Sequence, residues 1–196
     1  MGDVLEQQDV AEAARQGGPV RERILTAAGF LFYQHGYRAV GIDRVVAEAG
    51  VAKATFYKCY GSKDALIVAW IERCAATLRD AASPADGPRP LTEWGLSAIR
   101  RAQRDWAMGC AFQTAAAEFS DPHHPVHAAA AHVKRRMIAG LATRAEAEGL
   151  DAPEAAAEAV FLFVEGVLAS VRMFGARAPL AHAPAALCRL TGAPLA

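Results

Sequence analysis

Three groups of side chains in this sequence have types and spacings that could do chemistry. The first is the run from Lys53 to Lys58, Lys-Ala-Thr-Phe-Tyr-Lys, which places two ammonium groups and the Thr55 and Tyr57 hydroxyls within six residues. A segment this short and this polar at Lys53, Thr55 and Lys58 cannot be a core element, so its polar groups face outward. Charge around it points the same way. Between Val20 and Asp64 there are seven basic residues (Arg21, Arg23, Arg38, Arg44, Lys53, Lys58, Lys63) against four acidic ones (Glu22, Asp43, Glu48, Asp64). Such a local excess suits a surface that meets phosphates. The second group is His123, His124, His127 and His132. His123 and His127 are four apart, the spacing of two zinc ligands on one helix turn. Pro122 and Pro125 start the helix only at 125, however, and leave His123 and His124 in the preceding loop. His127 and His132, five apart, do not share a face, so a solvated helix start is the better reading and no metal is expected. The third group is Cys59, Cys74, Cys110 and Cys188, which lack the paired spacing of a zinc site or a disulfide framework. Cys59 beside Lys58 could be a redox thiol, but it falls at a helix C-terminus, whose dipole disfavours a thiolate.

The elements that would position these groups are helices. Ile42, Val45 and Val46 lie on one helical face, and Ala49-Gly50-Val51 breaks the pattern with a glycine suited to ending a helix in the left-handed conformation. Lys53 then opens a second short helix, so Gly41–Lys63 reads as a helix-turn-helix. Before it, Ile24, Leu25, Ala28, Leu31 and Phe32 form one apolar stripe on a helix that starts near Pro19 and ends at Gly36. After it, Ser62 caps a long helix from Lys63 to about Ala82. Ser83–Pro90 is a loop. Further helices are expected over 91–108, 112–119, 125–148, 153–175 and, limited by Pro184, 180–190. No strand pattern competes, so the expected fold is all-α.

In order, the pattern Ile24-Leu25-x-x-Ala-x-x-Leu31-Phe32, the pair Gly36-Tyr37, Ile42-x-x-Val-Val-x-x-Ala49-Gly50-Val51, Thr55-Phe56-Tyr57 and Ser62-Lys63-x-x-Leu66 resemble the amino-terminal DNA-binding domain of the TetR family of bacterial transcriptional repressors. The resemblance covers Arg21 to Leu66 at unbroken spacing. It implies that Lys53 lies near base edges or phosphate, that Thr55 and Tyr57 hydrogen-bond phosphates, and that Lys58 reads bases or meets the backbone. It further implies that Lys63 clamps a phosphate with its helix dipole, with Arg44 a further phosphate contact. The chain departs from the family pattern at Gly41 and Ala52, where a hydroxyl is usual, and at Cys59, where His is more common. Gly41 still caps tolerably but loses a phosphate-contacting hydroxyl, whereas Ala52 removes both an N-cap and a phosphate donor.

The rest of the chain divides its apolar residues between two tasks. Trp94, Trp106, Phe112 and Phe161, with Gln113, Thr114 and Glu118 as polar groups, would by the same resemblance line a small-molecule effector pocket. A dry packed core uses the same residue types and is the plain alternative. The helix from Pro153 to Gly175 is apolar nearly all round, so one face needs a partner. Phe163, Val164, Val167, Leu168 and Val171, with Leu187 and Leu190 of the last helix, would form a homodimer interface, as a twofold reader of a palindromic operator requires.

At 196 residues with 53% hydrophobic residues and no net charge, the chain can bury a sizeable helical core. Its first eighteen residues read as a flexible acidic arm, without the apolar run of a secretory signal. The apolar stretch at 155–171 is short for a membrane span and carries Glu158 and Glu165. These features predict a cytoplasmic protein with an arm at 1–18, a helix-turn-helix domain at 19–65 and an effector-binding and dimerisation domain at 66–196. Its expected function is a DNA-binding regulator, a repressor released from double-stranded operator DNA by a small-molecule effector. It is expected to be no enzyme and to need no cofactor. The alternatives are a DNA-binding protein without an effector and a His-dependent metalloenzyme.

Overall fold

The structure, a computed structural model, describes residues 19–82, 90–104 and 109–193. The acidic arm, nearly all of the 83–90 loop, and Trp106 lie outside the described residues. Among the described residues the regular structure is entirely helical. The helices are α1 (Val20–His35), α2 (Ile42–Ala49), α3 (Lys53–Tyr60), α4 (Lys63–Ala82), α5 (Leu91–Arg104), α6 (Ala111–Glu118), α7 (Pro125–Ala147), α8 (Pro153–Phe174) and α9 (Ala183–Thr191), with a 3-10 turn at Gly175–Arg177. Pro125 and Pro153 each occupy the first helical position, where a missing N–H costs nothing, and Pro184 sits in the first turn of α9.

The described residues form two compact units, one within 19–74 and 114–130 and one within 75–113 and 131–193. In the first, α1 buries Ile24, Leu25, Ala28, Leu31 and Phe32, the stripe its sequence lays out. It packs on α2 and α3, which supply the buried Val45, Val46, Ala49, Phe56 and Tyr60, while Leu66, Ile67 and Ile71 of α4 are also fully buried. Each fully buried aliphatic or aromatic side chain of this kind contributes roughly 1.5–3 kcal/mol, so these residues set the stability of the unit. The aromatic rings of Phe32, Tyr37 and Phe119 pack in series in tilted pairs, at centroid distances of 5.1 and 6.5 Å.

The second unit is built on α5 packed against α8 and α9. Its core joins Leu91, Trp94, Ala98, Ile99 and Ala102 of α5 to Leu141 and Ala145 of α7, five residues of α8 and Leu187 of α9. The Glu148 carboxylate accepts the Leu91 N–H at 2.6 Å and so satisfies the first turn of α5. A hydroxyl bond of 2.7 Å between Thr92 and Thr191 ties α5 to α9. Along α8 the buried stripe is Ala157, Val160, Val164, Val167 and Val171.

Candidate nucleic-acid interface

The turn between α2 and α3 is made by Gly50 and closed by the backbone. Gly50 adopts φ 61°, ψ 43°, a left-handed conformation that a Cβ would strain. Its N–H donates to the Ala47 carbonyl at 3.2 Å and the Val51 N–H donates to Val46 at 3.0 Å, the paired bonds of a Schellman ending. Arg23 of α1 completes it, donating from one guanidinium nitrogen to the carbonyls of Ala49 and Gly50 at 2.9 and 3.1 Å. A cation at this helix end also meets the negative pole of the α2 dipole. Sequence reading left Arg23 as one more basic residue, because nothing local shows that α1 brings it to the turn.

With the turn fixed, α3 is anchored by Phe56 and Tyr60, four residues apart and both buried, and presents Lys53, Tyr57 and Lys58 to solvent with Thr55 half-buried. The Tyr60 hydroxyl donates to the Arg21 carbonyl at 2.7 Å, and the Arg21 guanidinium lies 4.3 Å above its ring. Burial pushes the Tyr60 phenol up to about 12, because the phenolate would lose its hydration. The next helix starts with Ser62, whose Oγ accepts the Ala65 N–H at 3.0 Å as the sequence predicts. Lys63 follows at the amino end of α4, its ammonium donating to the Arg38 carbonyl at 3.1 Å. Partial burial lowers the Lys63 pKa, with nearby Asp64 and Glu118 acting in the opposite sense.

Two of the expected DNA contacts already have partners. Lys53 pairs with Asp43 of α2 at 2.7 Å, and that hydrogen bond raises its pKa. Arg44 donates to Nε2 of His35 at 2.7 Å, which requires that nitrogen to be unprotonated. Gly41 and Ala52 sit in extended conformation just before α2 and α3 and provide no side-chain cap. Arg44, Lys53, Thr55, Tyr57, Lys58 and Lys63 thus all fall on the helix-turn-helix and the helix start that follows it. Together they offer cations and hydroxyls suited to phosphate oxygens.

The residues expected around an effector fall in different units. Thr114 and Glu118 belong to the first unit, where the Glu118 carboxylate accepts backbone N–H groups from Tyr37 and Arg38. Trp94 is part of the hydrophobic core of the second unit. Phe112, Gln113 and Phe161 also lie in the second unit and meet around a group that sequence reading missed. The Lys134 ammonium pairs with the Glu165 carboxylate and stands 5.3 and 5.5 Å from the ring centroids of Phe112 and Phe161. Gln113 donates to the same carboxylate at 3.0 Å. Lys134 and Glu165 are 14% and 21% exposed, so the pair is largely withdrawn from water and lined by aromatic faces. No local signal announces it, since Gln113, Lys134 and Glu165 stand on three separate helices.

On α8 and α9 the expected dimer residues Val164, Val167, Val171 and Leu187 are buried within their own subunit. Phe163 and Leu168 are partly buried against the same core. Of the expected set, Leu190 is exposed, at 45%, and the other outward residues are Leu162, Met173 and Phe174, at 66%, 75% and 52% exposure. The reason is helical register. Val160, Val164, Val167 and Val171 form one stripe, whereas Leu162, Gly166, Ala169 and Met173 form another on a different face. The segment Pro153–Arg177 is also long and apolar enough, by length and composition alone, to cross a membrane, with a mean hydropathy of 1.7 over its most apolar 18 residues.

The histidines are dispersed. His124 accepts the Val126 N–H at Nδ1, lies 3.5 Å from Asp64 through Nε2 and stacks on Phe119 at 4.5 Å. His127 Nδ1 is 2.8 Å from the Phe119 carbonyl, while His123 and His132 are exposed. Among the described residues no three His, Cys, Asp or Glu side chains form a metal-binding group.

Comparison with known proteins extends the geometry to a family. Residues 24–70 match the model of the bacterial regulatory proteins of the tetR family. An uncharacterized HTH-type transcriptional regulator of Mycobacterium tuberculosis is 34% identical over 61 residues, 31% of this chain and 30% of that protein, so the match spans under a third of the curated relative. A TetR transcriptional regulator from Streptomyces avermitilis has a crystal structure similar to 90% of this chain and all of its own, with a TM-score of 0.75 and 26% identity. One from Streptomyces coelicolor is similar over 88% of this chain and 92% of its own, with a TM-score of 0.72 and 27% identity. Reduced NemR of Escherichia coli, 23% identical with a TM-score of 0.75, shares the fold over 88% of this chain and 97% of its own. The ordered helix-turn-helix and the match over residues 24–70 give this chain the amino-terminal domain of the tetR family of bacterial regulatory proteins, and its helical architecture is similar to that of solved TetR regulators over nearly its full length.

Proposed function

We propose that this protein is a transcriptional regulator that binds double-stranded DNA as a homodimer and represses transcription until a small-molecule effector releases it. The observation that carries this reading is the α2–turn–α3 geometry. A short helix anchored by Phe56 and Tyr60 projects Lys53, Tyr57 and Lys58 outward from a turn locked by Gly50 and Arg23, with Lys63 at the start of the following helix. In this proposal α3 enters the major groove, Thr55 and Tyr57 bond phosphates, Lys53 and Lys58 read base edges or phosphate, and Arg44 and Lys63 clamp the backbone. Two copies meet through Leu162, Met173, Phe174 and Leu190, whose exposure is unusual for large apolar side chains. An effector shifts the equilibrium between conformations of the dimer through its differential affinity for them. The aromatic-lined Lys134–Glu165 pair with Phe112, Gln113 and Phe161 is the place in the second unit best equipped to meet one. A solvated regulator of this kind works in the cytoplasm, beside its DNA.

The test is selection of a duplex from a random-sequence pool by the full-length protein, followed by affinity measurements at two salt concentrations. Tight, sequence-selective binding that weakens steeply with salt is expected. Lys63→Ala should make the slope of log affinity against log salt shallower by about 0.9, one phosphate contact. Failure to enrich any duplex by a folded protein would overturn the reading.

A further inference from the structure

Glu118 was expected to orient a ligand, yet its carboxylate is committed to the turn between α1 and α2. One oxygen accepts the Tyr37 N–H at 3.0 Å and the other accepts the Arg38 N–H at 2.6 Å. The Glu118 main-chain carbonyl accepts from Nε of Arg38, and the Arg38 guanidinium lies 4.8 Å above the Phe119 ring. Space for this arrangement comes from Gly36, at φ 79°, where a Cβ would stand 2.5 Å from the Glu118 oxygen. An anion accepting two adjacent backbone N–H groups forms strong, charge-assisted bonds and fixes the orientation of the peptide between them. That orientation matters because the Arg38 carbonyl receives the Lys63 ammonium.

From this chain of bonds we infer that Glu118 is a positioning residue for DNA binding that acts through Lys63. It holds the 36–38 turn so that the Arg38 carbonyl keeps the Lys63 ammonium in one place at the amino end of α4. A lysine on four rotatable bonds gives up much side-chain freedom when it meets a phosphate, and holding it beforehand removes part of that cost. A carboxylate would ordinarily repel a phosphate backbone. Here its charge is spent on the Tyr37 and Arg38 N–H groups rather than displayed. The functional helix-turn-helix unit therefore includes the end of α6 as well as the first four helices.

The inference rests on the DNA-binding reading above, and a double-mutant cycle separates the two. The probe is the duplex that the wild-type protein selects from a random pool. Glu118→Ala should weaken binding about 5–10-fold and make the salt slope shallower, while in a Lys63→Ala background the same change should alter affinity less than twofold. Glu118→Gln keeps one acceptor and should recover at least half of the loss, and it serves for the cycle if Glu118→Ala does not fold. A purely structural role would weaken the Lys63→Ala protein as much as the wild type. That result, or unchanged affinity in Glu118→Ala, overturns the inference while leaving DNA binding standing. A wild-type protein that selects no duplex removes both.

Discussion

Single residues in this protein carry effects out of proportion to their size where the backbone or a buried polar group leaves no alternative. Gly50 is one. Its left-handed conformation ends α2 and aims α3, so Gly50→Ala should cost about 1–2 kcal/mol, read as a lower denaturant midpoint at unchanged m. Arg23 supports the same carbonyls from α1, and Arg23→Ala should cost a similar amount by exposing two acceptors at the helix end. Tyr60 gives a pH signature. Its folded pKa of about 12 lies above the ordinary value near 10, so the neutral phenol is favoured by folding. The associated stability is fully present below about pH 10 and is lost as pH rises through about 12. Phenolate absorbance should show Tyr60 titrating late, and Tyr60→Phe should reduce the late step by one phenol while removing the 2.7 Å bond to the Arg21 carbonyl. A late step of undiminished amplitude in the variant would assign the shift elsewhere.

At the level of elements, the two helices that meet DNA in the proposed complex begin without a side-chain cap, as α1, α8 and α9 also do. Neither α2 nor α3 has a side-chain cap, whereas α4 has Ser62. This leaves the amino end of α3 stabilised mainly by Phe56 and Tyr60 and by its contacts with α1 and α2. Ala52→Ser should therefore add about 0.5–1 kcal/mol of stability. If the proposed docking is right, it should also tighten the selected duplex severalfold, since the hydroxyl stands where α3 begins. Thermal melting reads the first effect and DNA titration the second. A gain in melting temperature with no gain in affinity would place the start of α3 away from the phosphates.

For the whole molecule, the decisive question is what covers α8. Leu162, Met173, Phe174 and Leu190 are large and exposed, and in the proposed function a second copy covers them. Light scattering on the wild type should give a dimer. The double change Leu162→Glu, Met173→Glu should give a folded monomer whose affinity for the selected duplex falls at least tenfold, because half-site contacts no longer add. A dimer that survives both charges would place the interface on another face. A membrane partner predicts instead that the wild type sediments with lipid vesicles, which the dimer reading does not.

Sequence by itself determined the all-helical fold, nearly every helix start and end, and the helix-turn-helix. These depend on local physics: Pro at a helix start, Ser62 as a cap, Gly50 in a left-handed turn and apolar residues at helical spacing along α1. Tertiary structure alone decided where polar side chains spend their bonds. Glu118 reaches Tyr37 and Arg38 eighty residues back, Arg23 reaches the end of α2, and Lys134 finds Glu165 between two aromatic rings. It also decided which face of α8 turns inward. That helix is apolar nearly all round, so periodicity left its inward face open and only packing against α5 and α9 chose it. Local structure is written in neighbours along the chain, whereas the use of a carboxylate or an apolar face depends on what folding brings beside it.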